Sequence, residues 1–364
     1  MSDNGNNICF TGDLIFGDQP ATFGYGANST WEGRSYRGLF KYTGKILKSA
    51  GVTVANFECT ISDDIPPANR DLNNYMMCCK STVCRELYDN NIRIVSVANN
   101  HTFDYGPEGY AYTVDCLTKN GISVIGDRKK PYMIVGSSGE GGSVAIIGCS
   151  YLKVKHYADA PYLLNPTADE WKAILNEIKG KADHIIAYVH WGNEFVKNPT
   201  KSQTDIADEL IALGIDDIIG CHSHILQAKQ SSDGHTVYYS LGNFVSDYWQ
   251  RRLRYSVILK FDPVSGNFRE IPCYIDSHFR PHMLNTAQDL IPEACGRTDN
   301  LQIFLNRNRM RMEYLVKMAA NFGKVKGKAK LFKWVLERIG YFAKNMIQEI
   351  RDPNVVYQKF EVKQ

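Results

Sequence analysis

The chain has 364 residues, enough for one large α/β domain with an appendage or for two domains. Hydrophobic residues make up 44% and charged residues 22%, which excludes a disordered chain. The formal net charge of +3 argues against nucleic acid as the main partner. The ten cysteines form no C-x-x-C pair, so neither a zinc ribbon nor a thioredoxin-like site is expected. Cys9 and Cys149 sit in apolar runs and read, like several others, as buried reduced thiols. No basic or apolar leader opens the chain, and no apolar run approaches the roughly 20 residues that span a bilayer. With Met1 as the start, the expectation is a cytoplasmic protein.

In chain order, short apolar strands alternate with amphipathic helices. Residues 8–10 read as a first strand, and the stretch Leu39–Ser49 as a helix stopped at Gly51. Strands are expected at 52–56 and 92–98, with a helix between them over VCRELYDNN. A helix over Gly109–Lys119 closes at Asn120-Gly121 and leads into the strand ISVIG. The second half repeats the style, with strands at 144–148 and 184–190 and a helix over Ala168–Ile178. A helix over Ile206–Leu213 follows, then IDDIIG, TVYYSLG, 255–261 and Phe268–Tyr274 as strands. Continuous apolar runs, rather than alternation, mark strands buried on both faces of a layered α/β protein.

Composition changes near residue 291. Arg307, Arg309, Arg311, Lys317, Lys324, Lys326, Lys328, Lys330 and Lys333 have few acids among them. Leu331, Val335, Ile339, Phe342, Met346 and Ile350 then recur at helical spacing. The division expected is a catalytic domain over 1–290 and a basic helical appendage over 291–364. The appendage packs on the domain, or it contacts a membrane surface or a synthase.

The chemistry collects where strands end. Thr11-Gly12-Asp13, Asn56-Phe57-Glu58, Asn99-Asn100-His101 with Asp104, His190 with Glu194, His222-Ser223-His224 and Asn243 each follow an apolar run. In open α/β sheets the carboxyl ends of strands are where ligands bind. On a strand, residues i and i+2 face one side, so His222 and His224 should reach one centre. Two imidazoles with carboxylates suit a divalent zinc, manganese or iron ion. Arg251, Arg252 and Arg254 offer guanidinium forks to an anionic substrate. His156, His184, His235, His278 and His282 have no companion at such spacing and receive no role.

The ordered set GD, N-x-E, NNH-x-x-D-x-G, HWG-x-E, G-x-H-x-H and SLGN resembles the CapA-like family named for poly-γ-glutamate capsule synthesis, over about residues 8–262. That family is similar to the calcineurin-like metallophosphoesterases. The resemblance implies a four-layer αββα sandwich. It also implies Asp13, Glu58, Asn100, His190, His222 and His224 as metal ligands, with Glu58 in a bridging place. His101 would face the leaving group with Asp104 behind it, Glu194 and Asn243 would stand behind the ligands or touch the substrate, and Asn56, Asn99 and the three arginines would face the substrate. The usual D-x-H opening is absent, because Asp13 is followed by Leu14-Ile15. One firm metal site is therefore expected and a second is in doubt, with Asp18 able to serve only by a loop excursion. The function implied is metal-dependent hydrolysis, phosphoesterase-like, on an anionic small molecule or polymer in bacterial capsule or envelope synthesis. The alternatives are amide ligation or transfer on a glutamyl polymer, and a non-catalytic partner of a polymer synthase.

Overall fold

The computed structural model describes residues 6–22, 24–63, 77–136, 142–152, 159–284 and 300–320. Its strands are β1 (Ile8–Leu14), β2 (Val52–Phe57), β3 (Thr60–Ile61), β4 (Cys78–Cys79), β5 (Ile92–Ser96), β6 (Ser123–Ile125), β7 (Tyr132–Val135) and β8 (Val144–Tyr151). They continue as β9 (His184–Trp191), β10 (Asp217–Cys221), β11 (Lys229–Ser232), β12 (His235–Tyr238), β13 (Asn243–Val245), β14 (Tyr255–Asp262), β15 (Asn267–Ile275) and β16 (Pro281–Met283). The helices are α1 (Ala27–Trp31), α2 (Gly44–Lys48), α3 (Val83–Asp89), α4 (Gly106–Lys119), α5 (Ala168–Ile178), α6 (Lys201–Ala212) and α7 (Asn300–Ala320).

Two sheets form. One runs β16-β15-β14-β1-β2-β5-β6 with β13 beside β1, and the other runs β11-β12-β10-β9-β8-β7. Alternate residues of the apolar strands pack to opposite faces. Ile8, Phe10, Val54 and Ile94 meet Ile146, Ile186, Tyr188 and Ile219 in one buried cluster between the sheets. The intervening Cys9, Ala55 and Val95 pack with Leu47, Leu87 and Leu117 of α2, α3 and α4. On the far side, Ala145, Ile147, Ala187 and Val189 pack with Trp171 and Ile174 of α5 and Ala207 and Leu210 of α6. The result is the four-layer αββα sandwich, and it explains why the strands read as unbroken apolar runs. The nine described cysteines are buried.

The helix expected over Leu39–Ser49 shrinks to α2. Tyr36 and Gly38 take left-handed φ values of 58° and 85°, and the backbone closes i to i−3 turns at Leu39, Lys41 and Thr43 before α2 begins. Helix α7 docks on the sandwich through buried Met310, through a bidentate Arg252–Glu313 ion pair and through Tyr314, whose ring meets Trp249 edge-on at 4.8 Å. The basic run from Lys324 and the apolar repeat from Leu331 lie outside the described residues. Among the described residues no helix is long and apolar enough to cross a membrane.

The loop after β1 is tied down by two carboxylates. Asp18 accepts from the backbone N–H groups of Gly24 and Ser29, each at 3.0 Å, and so caps α1. Asp247 accepts from the Gln19 N–H at 2.8 Å and from the Thr22 hydroxyl. Gly26 fits between them: a Cβ there would lie 2.2 Å from an Asp247 oxygen and 2.7 Å from an Asp18 oxygen. Burial, and then the Asp18 charge, raise the Asp247 carboxyl to about 7.

A raised folded-state value means that the fold binds the Asp247 proton more tightly than the unfolded chain does. The associated stability is complete below the unfolded pKa and is lost as pH rises through about 7. Asp247→Asn keeps both acceptor bonds without the charge. Thermal unfolding of this variant should differ least from the native protein near pH 3.5 and exceed it near pH 8.5, by on the order of 1 kcal/mol or more. An equal offset at both pH values would contradict the buried-charge account.

Candidate metal centre

The strand ends of the two sheets converge on one buried cluster. Asp13 is delivered by β1, which crosses close to β13. A Cβ on Gly12 would lie 1.8 Å from the Gly242 carbonyl oxygen, so only glycine permits this approach. The Asp13 N–H donates to that same carbonyl at 3.0 Å. Glu58 follows β2 and is fully buried. One of its oxygens lies 3.8 Å from His101 Nε2, 3.7 Å from His190 Nε2 and 3.8 Å from His224 Nε2.

His222 and His224 converge by a different route from the one their spacing suggests. Strand β10 stops at Cys221, and both histidines lie beyond it with φ values of 92° and 55°. Left-handed backbone, not strand alternation, brings the two rings to a centroid separation of 5.9 Å. Such conformations cost energy in residues with a Cβ and persist only where the surroundings impose them. Here the His222 N–H donates to Asp13 Oδ2 at 3.2 Å, and the Ser223 carbonyl accepts from Phe195 N–H at 2.8 Å.

Asparagines fix the ligand-type side chains. Asn56 Nδ2 donates to Asp13 Oδ1 at 2.8 Å and lies 3.0 Å from His190 Nδ1, while Asn56 Oδ1 accepts from Asn99. Since Asn56 Nδ2 can only donate, His190 Nδ1 accepts and its Nε2–H points to Asn100 Oδ1 at 2.8 Å. Ligation through His190 Nε2 therefore requires that proton to leave. His224 is set the other way. Its Nδ1 lies 3.1 Å from Asn243 Oδ1, an acceptor, while the Asn243 amide N–H groups go to the His224 and Leu253 carbonyls. That bond puts the proton on Nδ1 and frees Nε2 toward Glu58. Asn99 accepts from His101 N–H, Thr102 N–H and the Thr102 hydroxyl, and so shapes the Asn100–His101 turn.

His101 Nδ1 lies 2.6 Å from Asp104 Oδ2, which orients the ring and leaves Nε2 facing the cluster. Burial opposes charge on His224, but the carboxylates of Glu58 and Asp13, with Glu194 further out, outweigh it and raise the ring to about 9.

The ligand-capable atoms form two overlapping triads. Glu58, His222 and His224 offer atoms within 4.8 Å of one another, and so do Asp13, Glu58 and His190, with all of these residues buried. Glu58 belongs to both. Carboxylate and imidazole donors of this number and spacing are compatible with a divalent metal site.

The structure places other candidates differently. Asn56 and Asn99, expected at the substrate, spend their amides on Asp13, His190 and the intervening turns, while Asn243 stands behind His224, one of the two places expected for it. Arg252 pairs with Glu313, Arg254 donates to the Tyr248 carbonyl at 2.9 Å, and exposed Arg251 donates to the Tyr255 hydroxyl at 3.1 Å. Asp18 caps α1 and makes no loop excursion to the cluster. Sequence reasoning gave no role to Tyr248, although its ring lies 5.2 Å from that of His224. Position alone could have flagged it, five residues past Asn243.

Residues 7–248 match the family described as bacterial capsule synthesis protein PGA_cap. The chain is 28% identical over 291 residues to the PGA biosynthesis protein CapA of Bacillus subtilis, covering 76% of this chain and 73% of that one. It is 26% identical to the capsule biosynthesis protein CapA of Bacillus anthracis over 61% of this chain and 57% of that one. A probable polyglutamine synthesis accessory protein of Mycobacterium tuberculosis is 26% identical over 59% of this chain and 63% of its own length. Among solved structures, a 5'-nucleotidase from Candida albicans aligns over 85% of this chain and 59% of that one, at 13% identity and a TM-score of 0.45, and no conclusion rests on it. With a match that spans well over half of its length, the chain belongs to the bacterial capsule synthesis protein PGA_cap family.

Proposed function

We propose that this chain is a metal-dependent hydrolase of the phosphoesterase kind, acting in the synthesis of a capsule or envelope polymer. The observation that carries the reading is the place of Glu58 in both buried triads, beside the His101–Asp104 pair. The names of the relatives, which refer to capsule and polyglutamate synthesis, support the setting. Asp13, Glu58, Asn100, His190, His222 and His224 would hold the metal. A divalent ion there supplies Lewis acidity and a water activated at neutral pH.

The protein's own groups do the rest. Glu58, common to both triads, is the carboxylate that can serve two ions. His224 is held by Asn243 with Nε2 toward the cluster, the nitrogen that would ligate. His101 carries Nε2 toward the same space and has Asp104 to stabilise its protonated form, which suits a general acid for a leaving oxygen. Glu194, close enough to add to the charge on His224, remains a candidate substrate contact. A second reading, an accessory partner of a polymer synthase, is favoured by the accessory-protein name of the mycobacterial relative.

Two outcomes test the proposal. His222→Ala combined with His224→Ala should abolish binding of manganese or zinc in protein purified without chelator, with far-ultraviolet circular dichroism unchanged. Metal content equal to that of the native protein would remove the site. His101→Asn should lower phosphoester turnover by roughly 10²–10⁴-fold while metal stays bound. If the metal-loaded native protein turns over no phosphoester with any of several metals, the accessory reading replaces the hydrolase.

A further inference from the structure

Between Glu32 and Glu58 the chain carries Arg34, Arg37, Lys41, Lys45 and Lys48 and no acid. The metal centre uses none of these basic residues. Lys45 and Lys48 stand three apart on α2, which places their Cβ atoms about 5–6 Å apart on one face. Lysines on other helices are matched by acids. Lys119 pairs with Asp115 on α4, and Lys201 pairs with Asp205 on α6. Lys41, Lys45 and Lys48 have no carboxylate partner among the described residues.

These three lysines line one cavity of about 530 Å³, together with Phe40, Ser49 and Asn90. Its walls are fixed from behind. Phe40 stacks on Phe244 with ring centroids 5.9 Å apart, and Asn90 Nδ2 donates to the Glu86 carbonyl at 2.9 Å and to the Glu86 carboxylate at 3.1 Å. That carboxylate is buried and also accepts from the Gly38 N–H at 3.2 Å, so it serves the turn and not the lysines. A fourth ammonium stands behind Ser49. Lys260 Nζ donates to Ser49 Oγ at 3.4 Å, and only 5% of Lys260 is exposed. Lys260 on β14 lies directly opposite Arg269 on β15. Cross-strand partners share a face, and like charges so placed are unfavourable. The fold therefore crowds cations around a cleft whose lining carries no acid. Such clefts focus the field and concentrate counter-ions.

The cavity is separate from the metal centre. Residues around it sit by the starts of β1 and β2, where the Gly51 N–H donates to the Asn7 carbonyl at 2.8 Å. Lys260 is paired with Cys9 of β1, and Asp13 lies four residues further along that strand, about 13 Å away.

We propose that this lysine-lined cavity binds a carboxylate-bearing polymer, with the ammonium groups of Lys41, Lys45 and Lys48 taking carboxylates of one chain. The choice of a carboxylate polymer rests on the reading of this protein as one that acts in capsule-polymer synthesis. Lysine presents a hydrated point charge on a flexible stem, without the fork by which arginine fixes a single anion. Three such charges suit a row of anions, because units joined in one chain bind at high effective concentration once the first is held.

Fluorescence anisotropy of labelled poly-γ-glutamate with the full chain tests this. Lys45→Glu combined with Lys48→Glu should weaken binding by about tenfold or more. Lys179→Glu combined with Lys181→Glu makes the same change in net charge beside α5, on the other sheet's helix layer, and should leave binding native. Equal losses in the two variants, or no loss in the first, would overturn the site. Free glutamate that competes as well as the polymer, unit for unit, would overturn the polymer as ligand, and a DNA oligomer that binds as tightly would overturn the carboxylate class. Metal content and phosphoester turnover of the Lys45–Lys48 variant should stay native, and loss of either would contradict the separation from the metal centre. Native protein that binds no polyglutamate would overturn this inference, while its metal content and turnover report independently on the hydrolase reading.

Discussion

Glu58 ends β2 with its carboxylate fully buried, and three imidazole Nε2 atoms lie 3.7–3.8 Å from one of its oxygens. A carboxylate removed from water is costly unless positive charge and hydrogen-bond donors surround it. Everything that surrounds Glu58 comes from a different strand end: His101 from the first sheet, His190 and His224 from the second. The two sheets must therefore face each other in one register, because sliding one past the other would carry these groups apart. The apolar layer of Phe10, Val54, Ile146 and Tyr188 between the sheets sets that register. Core packing and site geometry are thus one constraint seen from two ends.

The backbone carries the strain that this convergence demands. His222 and His224 hold left-handed conformations, and Gly12 is the residue that lets β1 and β13 touch. The first two are stabilised by the site itself, since the His222 N–H binds Asp13. Loss of the Asp13 carboxylate would then disturb the histidine loop as well as the ligand count. The asparagines play a related part. Asn56, Asn99, Asn100 and Asn243 together contact Asp13, His190 and His224 and shape the turn at His101. A buried amide both donates and accepts, so it can serve a carboxylate on one side and an imidazole on the other.

Much of this was legible in the sequence, for physical reasons. Unbroken apolar runs such as VAIIG and HIIAYVH announced strands covered on both faces, and the helix expected over Ala168–Ile178 has those bounds in the structure, where a capping box of Thr167 and Glu170 starts it. The strand-end polar groups stood out because they interrupt apolar runs. Less visible were β7, β11, β13 and β16, short edge or bridging strands in which tertiary pairing outweighs local preference. The geometry of H-x-H was misread for a similar reason, since a left-handed φ in a histidine has no local signal. The substrate role expected of Asn56 and Asn99 reflects a further limit: sequence marks a polar residue at a site but not which side of the ligands it stands on. Arg252 shows the same limit, because its partner Glu313 lies 61 residues away.

We propose that Glu58 sits between two places that can each hold a cation. The most direct measurement is anomalous diffraction from crystals of the full chain soaked in manganese or zinc. The account predicts density beside Glu58 within ligand distance of His222 and His224, with a second peak on the Asp13–His190 side at higher metal concentration. Absence of any anomalous peak among these residues in fully soaked crystals, or a metal bound only elsewhere on the molecule, would contradict it.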